Sequence, residues 1–202
     1  MSPQSDEVIL ASQSVIRALI LRNAGVSVEV APARIDEGAI KAAMLAENAP
    51  PRDIASTLAD LKAQKIASLN PNRIVIAADQ VLSFQDRIFD KPPNMDDAKS
   101  QLQVLRGQQH HLLSAVVIYR DQDCLLRDVD TVKLTMRAFD DGFLDQYLAA
   151  VGETVLTSVG GYQLEALGAQ LFEKVDGDYF SVLGLPLFAV LNTLRLHGYL
   201  AS

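Results

Sequence analysis

The chain has one cysteine, Cys124, in 202 residues, so it can form no internal disulfide, and this usage suits a reducing cytosol. Cys124 itself reads as a small apolar strand residue rather than a nucleophile. Long apolar runs are also missing. The longest, such as Ala115 to Tyr119 and Leu183 to Leu191, are too short to cross a bilayer or are broken by Pro186, so no membrane association is expected. The first residues, MSPQSDEVILAS, have no positive stretch, and acids precede the apolar part, unlike a secretory signal. A cytoplasmic protein is expected. Positive charge is scarce: 18 Lys and Arg stand against 25 Asp and Glu, for a net charge of −7. Long nucleic acid needs a basic footprint, so no nucleic-acid partner is expected. A small polyanion remains allowed where a few basic groups converge. There is no Walker A loop, no G-x-G-x-x-G, no HExxH and no paired Cys/His zinc spacing. His110 and His111, adjacent in a strand, would face opposite ways and cannot line one site together.

What is present is a sequence 49% apolar, with ample material for a core. There is no repeat of fixed period and no low-complexity tract. Residues 7–11 read as a buried strand, followed by a helix that opens at a serine and stops at Asn23-Ala24-Gly25. Val26 to Val30 alternates as a strand. A helix over 37–47 ends before Pro50-Pro51, and a second is expected over 53–69 with Ile54, Leu58, Leu61 and Ile66 inward. Residues 73–78 (RIVIAA) read as a central strand buried on both faces. A turn at 85–87, a loop at 91–94 and a helix over 96–106 follow. Strands over 111–119 and 124–136 form a hairpin, then come a helix over 140–150, an irregular stretch over 152–161 and a last helix from Pro186 to His197. Strands mixed with helices predict an α/β or α+β fold with a mixed, partly antiparallel sheet flanked by helices.

A few positions suggest chemistry. In LASQS, residues 10–14, a strand gives way to a helix whose first N–H groups favour phosphate, and Arg17 one turn on adds a fork of donors. An ordinary N-cap with a solvated Arg accounts for the same fragment. Asp79 follows the apolar strand and has no packing role there. At a strand's C-terminal end it can hold a cation, deprotonate a water or cap the next segment. Lys91 precedes a rigid proline. Lys62 lies in a helix beside Leu61 but off the apolar stripe, so a solvated lysine explains it as well. Asp36-Glu37 opens a helix, where acids complement the dipole.

In order along the chain, these pieces resemble the Maf (septum-formation-like) family. LASQSVIRALILRNAG is similar to that family's LASxSPRRxxLLxxxG, and IDE at 35–37 to its acidic segment. LADLKAQKIA at 58–67 resembles LAxxKAxxVA, and VIAADQVLSFQDRIFDKP at 75–92 resembles VIGxDxVxxxxGxIxxKP. AKSQLQVLRG at 98–107 and GGYQLEALGAQLFEKVDGDYFSVLGLPL near the end match its later blocks. The resemblance spans about 8–197 and implies one domain over 1–202. It implies two lobes around a deep cleft, as in inosine triphosphate pyrophosphatases. It also implies hydrolysis of nucleoside triphosphates to a monophosphate and pyrophosphate with a divalent cation, Mg or Mn. Asp79 matches the family's general base and, with Glu37, a metal-binding position. Ser12, Arg17, Lys62 and Lys91 match phosphate-handling positions. A homodimer is compatible with the family.

Some residues depart from the pattern: Val15-Ile16 replace Pro-Arg, Arg106-Gly107-Gln108 replace Ser-Gly-Arg, and Thr157 to Gly160 replace Asp-Lys-Ala-Gly. Gln80 and Glu165 are similar to the branch directed at 7-methyl-GTP, whereas the dTTP/UTP branch carries Thr and Gln. N1–H and the exocyclic amine of 7-methyl-guanine are adjacent donors, and a carboxylate accepts both. Ile16 takes the third specificity position, where weaker stacking on the base is expected. The alternatives are a dTTP/UTP-type enzyme and a non-catalytic nucleotide-binding regulator of cell division.

Overall fold

A computed structural model describes residues 8–85 and 87–201. The chain is α/β, with a seven-stranded mixed sheet in the order β2-β1-β3-β5-β6-β7 and β4 paired to β3. It divides into two compact units. The first is formed by the described residues up to Asp79, by Ser114–Asp130 and by the chain from Gly184 onward; the second comprises Gln80–Leu113 and Thr131–Leu183.

In the first unit, β1 (Val8–Leu10) lies parallel to both β2 (Glu29–Val30) and β3 (Ile74–Phe84). Parallel neighbours need crossovers. These are α1 (Val15–Asn23) between β1 and β2, and α2 (Glu37–Ala46) with α3 (Pro51–Leu69) between β2 and β3. The helix α3 starts two residues before the expected Asp53. Pro51 occupies its first turn, where its missing N–H costs nothing. Its buried face also differs from the expected one. Ile54, Leu58, Lys62 and Ile66 are buried at four-residue spacing, with Ala55, Ala59, Ala63 and Ala67 beside them. Leu61 is only half-buried. The alanine row brings the helix close to its neighbours, so the stripe runs through a lysine and leaves the leucine aside. By contrast, α2 buries none of its residues.

The strand β3 does not stop at Ala78. It continues through Asp79 and Gln80 to Phe84, with Val81, Leu82 and Phe84 buried again. Two polar residues in succession read as a strand end, but the ladder resumes beyond them and pairs antiparallel with β4 (Arg87–Phe89). Of the expected turn at 85–87, Asp86 lies outside the described residues, as does Glu7 of the first strand. The strands β5 (Gln109–Arg120) and β6 (Asp123–Met136) are joined by Asp121-Gln122 and each contributes to both units. Cys124, on β6, is exposed rather than packed as an apolar residue.

The second unit adds α4 (Met95–Leu105) and α5 (Asp141–Val151), with 3-10 turns through 152–161 and at Leu167–Leu171. Two elements were not read from the sequence: β7 (Phe172–Asp176), antiparallel to β6, and the four-residue helix α6 (Tyr179–Val182). The exposed Glu173 and Lys174 are adjacent in β7 and hide its alternation. The short α6 depends on Asp178, whose carboxylate accepts from Ser181 N at 3.0 Å. Leu82, Leu102, Leu105, Leu134, Leu144 and Leu171 belong to this unit's core. The last helix, α7 (Leu187–Leu196), returns to the first unit behind Pro186. No helix among the described residues is long and apolar enough to cross a membrane.

Candidate active site

Five of the sequence-selected residues meet within the first unit. The chain leaves β1 at Ala11 and turns into α1 through Ser12, Gln13 and Ser14. The cap of α1 is Ser14, whose Oγ accepts from Arg17 N at 3.4 Å. That leaves Ser12 Oγ to accept from Ser14 N and from Arg17 Nη1, each at 3.2 Å. Arg17 Nη1 also donates to the carbonyl of Ala78 on β3, at 2.7 Å. The guanidinium is thereby pinned across the end of β1 and the middle of β3. Its Nε is buried and has no hydrogen-bond partner among the described residues. On its other side lies the backbone of Gly184, whose φ of +88° favours glycine; a Cβ there would come within 2.9 Å of Nη2 and 3.1 Å of Nε. Sequence reading missed both Ala78 and Gly184, since a backbone carbonyl and an absent side chain leave no chemical signature.

Asp79 follows Ala78 and is buried, as is Lys62 on the inner face of α3. The ammonium of Lys62 donates to Asp79 Oδ1 at 2.6 Å and lies 2.8 Å from Glu37 Oε1. Glu37 is the first residue of α2, behind the cap Asp36, whose carboxylate accepts from Ala39 N at 2.9 Å. Its side chain is partly exposed. Burial draws the Arg17 guanidinium down from its ordinary pKa, and the charges of Asp79 and Glu37 push it back up. The guanidinium stays charged throughout the accessible pH range. Two cations, Arg17 and Lys62, thus face two carboxylates, Glu37 and Asp79, and their formal charges cancel.

Lys62 is therefore no solvated lysine, and Asp79 is no strand-end cap. A buried carboxylate and ammonium are retained at considerable desolvation cost, which their mutual contact offsets. The two carboxylates also supply hard oxygen donors in the number that a magnesium or manganese ion takes from a protein when phosphate provides further ligands. Glu37 and Asp79 are the residues that could hold such an ion. No group of three or more His, Cys, Asp and Glu side chains with metal-site spacing exists among the described residues.

Ile16, next to Arg17 on α1, is half-buried. The remaining positions belong to the second unit. Gln80 follows Asp79 on β3, and its Nε2 donates to the carbonyls of Ser181 at 3.1 Å and Val182 at 3.0 Å. Its amide donors thus hold the C-terminal end of α6. Lys91 is exposed after β4, before Pro92. Glu165 is exposed in a turn rather than on a strand. That turn is closed by Ala166 N donating to Gln163 O at 3.2 Å, and Gly168 packs on the same residue, where a Cβ would lie 2.4 Å from Gln163 O. As expected from strand alternation, His110 is fully buried and His111 exposed.

Comparison with known proteins identifies relatives of the whole chain. The profile of the Maf-like protein family matches residues 7–197. A nucleoside triphosphate pyrophosphatase of Caulobacter vibrioides is 50% identical over 193 residues, covering 96% of each chain. Two proteins named 7-methyl-GTP pyrophosphatase are also similar. That of Brucella abortus is 47% identical over 94% of this chain and 95% of its own, and that of Rhizobium meliloti 45% over 95% and 96%. With a profile covering nearly every residue and relatives matched end to end, the chain belongs to the Maf-like protein family.

Proposed function

We propose that the protein hydrolyses nucleoside triphosphates to a monophosphate and pyrophosphate, and that its preferred substrate carries a 7-methyl-guanine base. The observation that carries the reaction class is the cluster of Arg17, Lys62, Glu37 and Asp79 around the buried Lys62–Asp79 pair, in a chain about half identical to pyrophosphatases over nearly its whole length.

Arg17 and Lys62 bind and orient phosphate oxygens, and the N–H groups at the start of α1 add donors beside Ser12. Asp79 takes the proton from the attacking water. In the nucleotide-free protein this carboxylate is paired with Lys62 through Oδ1, and it receives the proton once Lys62 has turned to the phosphate. Water adds across the anhydride between the α and β phosphates, the bridging P–O bond breaks, and the electron pair leaves on pyrophosphate. A divalent cation held by Glu37 and Asp79 would supply positive charge against the phosphate oxygens. Lys91 serves the same polyphosphate.

The base preference rests on Glu165 and Gln80. Glu165 presents a carboxylate to the paired donors of the purine edge, and methylation at N7 adds a positive charge that favours it. Gln80 shapes the site through the carbonyls of α6, since its amide donors are engaged there. The relatives named for 7-methyl-GTP support this reading. The test is pyrophosphate release with Mg or Mn from 7-methyl-GTP, GTP, dTTP, UTP, CTP and 5-methyl-UTP at equal concentration. Preference for 7-methyl-GTP is expected. Preference for dTTP or UTP would overturn the base assignment, and no release from any of them would overturn the enzyme.

A further inference from the structure

The two carboxylates that would receive a divalent cation already share a positive charge: the ammonium of Lys62, 2.6 Å from Asp79 and 2.8 Å from Glu37. Arg17 adds a second positive charge beside them. Two cations and two carboxylates sum to zero, so nothing electrostatic draws a free dication into this group. Two carboxylates alone are also few for a metal site. An ion bound through one or two protein carboxylates relies on phosphate and water for its remaining ligands.

We propose that Lys62 is the resident cation of this site. In the nucleotide-free protein its ammonium keeps Glu37 and Asp79 together and excludes a free divalent ion. That ion enters only with the triphosphate, whose negative charge draws Lys62 from the carboxylates onto a phosphate oxygen. The proposal rests on the pyrophosphatase reading for the identity of the incoming ligand. It adds an order of binding: metal and nucleotide arrive together, and Lys62 exchanges one anionic partner for another. A triphosphate contributes about four negative charges near neutral pH, enough to compensate the added dication and leave both basic residues paired. The two ends of the exchange are held differently. Lys62 is buried on α3, whereas Glu37 stands on α2, which buries none of its residues and can yield as the contact is broken.

The test is Mn binding, read from the electron paramagnetic resonance signal of the unbound ion, and it requires no turnover. Wild-type protein without nucleotide is expected to bind Mn weakly. Adding a non-hydrolysable α,β-methylene analogue of GTP should raise its retention above what the analogue holds by itself. Lys62→Met removes the competing charge and leaves two carboxylates for the ion, so the nucleotide-free variant should bind Mn at least about tenfold more tightly, the equivalent of one pair interaction. Glu37→Gln in the Lys62→Met background should abolish that gain. Equal or weaker Mn binding by Lys62→Met, or a gain that survives Glu37→Gln, would overturn the proposal. Should Lys62→Met fail to fold, wild-type protein still decides: Mn bound as tightly without the analogue as with it would overturn the exchange. A protein that shows the exchange but releases no pyrophosphate from any nucleotide would keep this inference and remove the enzyme.

Discussion

Asp79 has two roles that a single substitution separates. It is one of the carboxylates holding Lys62, and it is the proposed base. Asp79→Asn keeps the shape and a hydrogen-bond acceptor but removes the charge. Pyrophosphate release should fall by about 10²–10⁴-fold, the usual contribution of a positioned general base. Circular dichroism should show the fold retained, and wild-type turnover by this variant would refute the mechanism. Glu165 lies at the opposite extreme of burial. It is exposed in its turn, so Glu165→Gln should leave thermal stability within about 0.5 kcal/mol of wild type. Its effect belongs to the base. The ratio of kcat/KM for 7-methyl-GTP over UTP should drop about tenfold or more, as a charge-assisted pair becomes a neutral one. An unchanged ratio would remove Glu165 from base recognition.

Among the elements, the turn into α7 and the helix α2 contribute in contrasting ways. Gly184 has a positive φ and lies against the guanidinium of Arg17, while Gly198, after α7, has a φ of +77° with open space around the position a Cβ would take. Both Gly→Ala changes incur the left-handed backbone cost of about 1–2 kcal/mol. Only Gly184→Ala should displace Arg17, raising KM for the triphosphate while Gly198→Ala leaves it unchanged. Equal kinetics of the two variants would show that Arg17 needs no such support. The helix α2 carries Glu37 yet buries no side chain, whereas α3 buries eight of its residues from Ile54 to Ala67. Its amides should therefore exchange with solvent well before those of α3 in native-state hydrogen exchange. Equal protection would mean that the ion pair to Lys62 secures α2 more firmly than packing does.

For the molecule as a whole, acid stability has an identifiable source in the second unit. His110 is fully buried, its Nε2 lies 2.7 Å from the Tyr162 hydroxyl, and its Nδ1 is buried without a partner among the described residues. The rings of Tyr162 and Phe172 flank it. Burial, helped by the neighbouring His111, pushes its pKa down from 6.5 to about 4. The unfolded chain then binds a proton between pH 6.5 and 4 that the native protein does not. Stability from this group is thus fully present above 6.5 and is lost as pH falls towards 4, by roughly 3 kcal/mol in all. His110→Phe should lower stability at neutral pH, because Tyr162 loses its partner, yet flatten the slope across that window in denaturant titrations. An unaltered slope would place the acid sensitivity elsewhere.

Much of this molecule follows from local sequence. Alternation and capping residues determine most helices and strands. Asp36, Asn94 and Asp140 cap α2, α4 and α5 because their short side chains reach the first free N–H groups wherever the chain places them. The acidic charge balance weighed against long nucleic acid, and the ordered blocks from LASQS to GLPL carried the resemblance to the family. Tertiary structure alone decided how those blocks meet. Period and hydrophobicity favoured Leu61 over Lys62 for the inner face of α3, and a pair of polar residues marked β3 as ending at Ala78. Both readings fail for one reason: a lysine can enter a core, and a carboxylate can interrupt an apolar strand, when each is the other's partner. Lys62 and Asp79 are 17 residues apart, and no local pattern records such a pairing. The contacts of Ala78 and Gly184 with Arg17 are equally hidden, because they involve backbone atoms that are the same in every residue and acquire a role only from what the fold sets beside them.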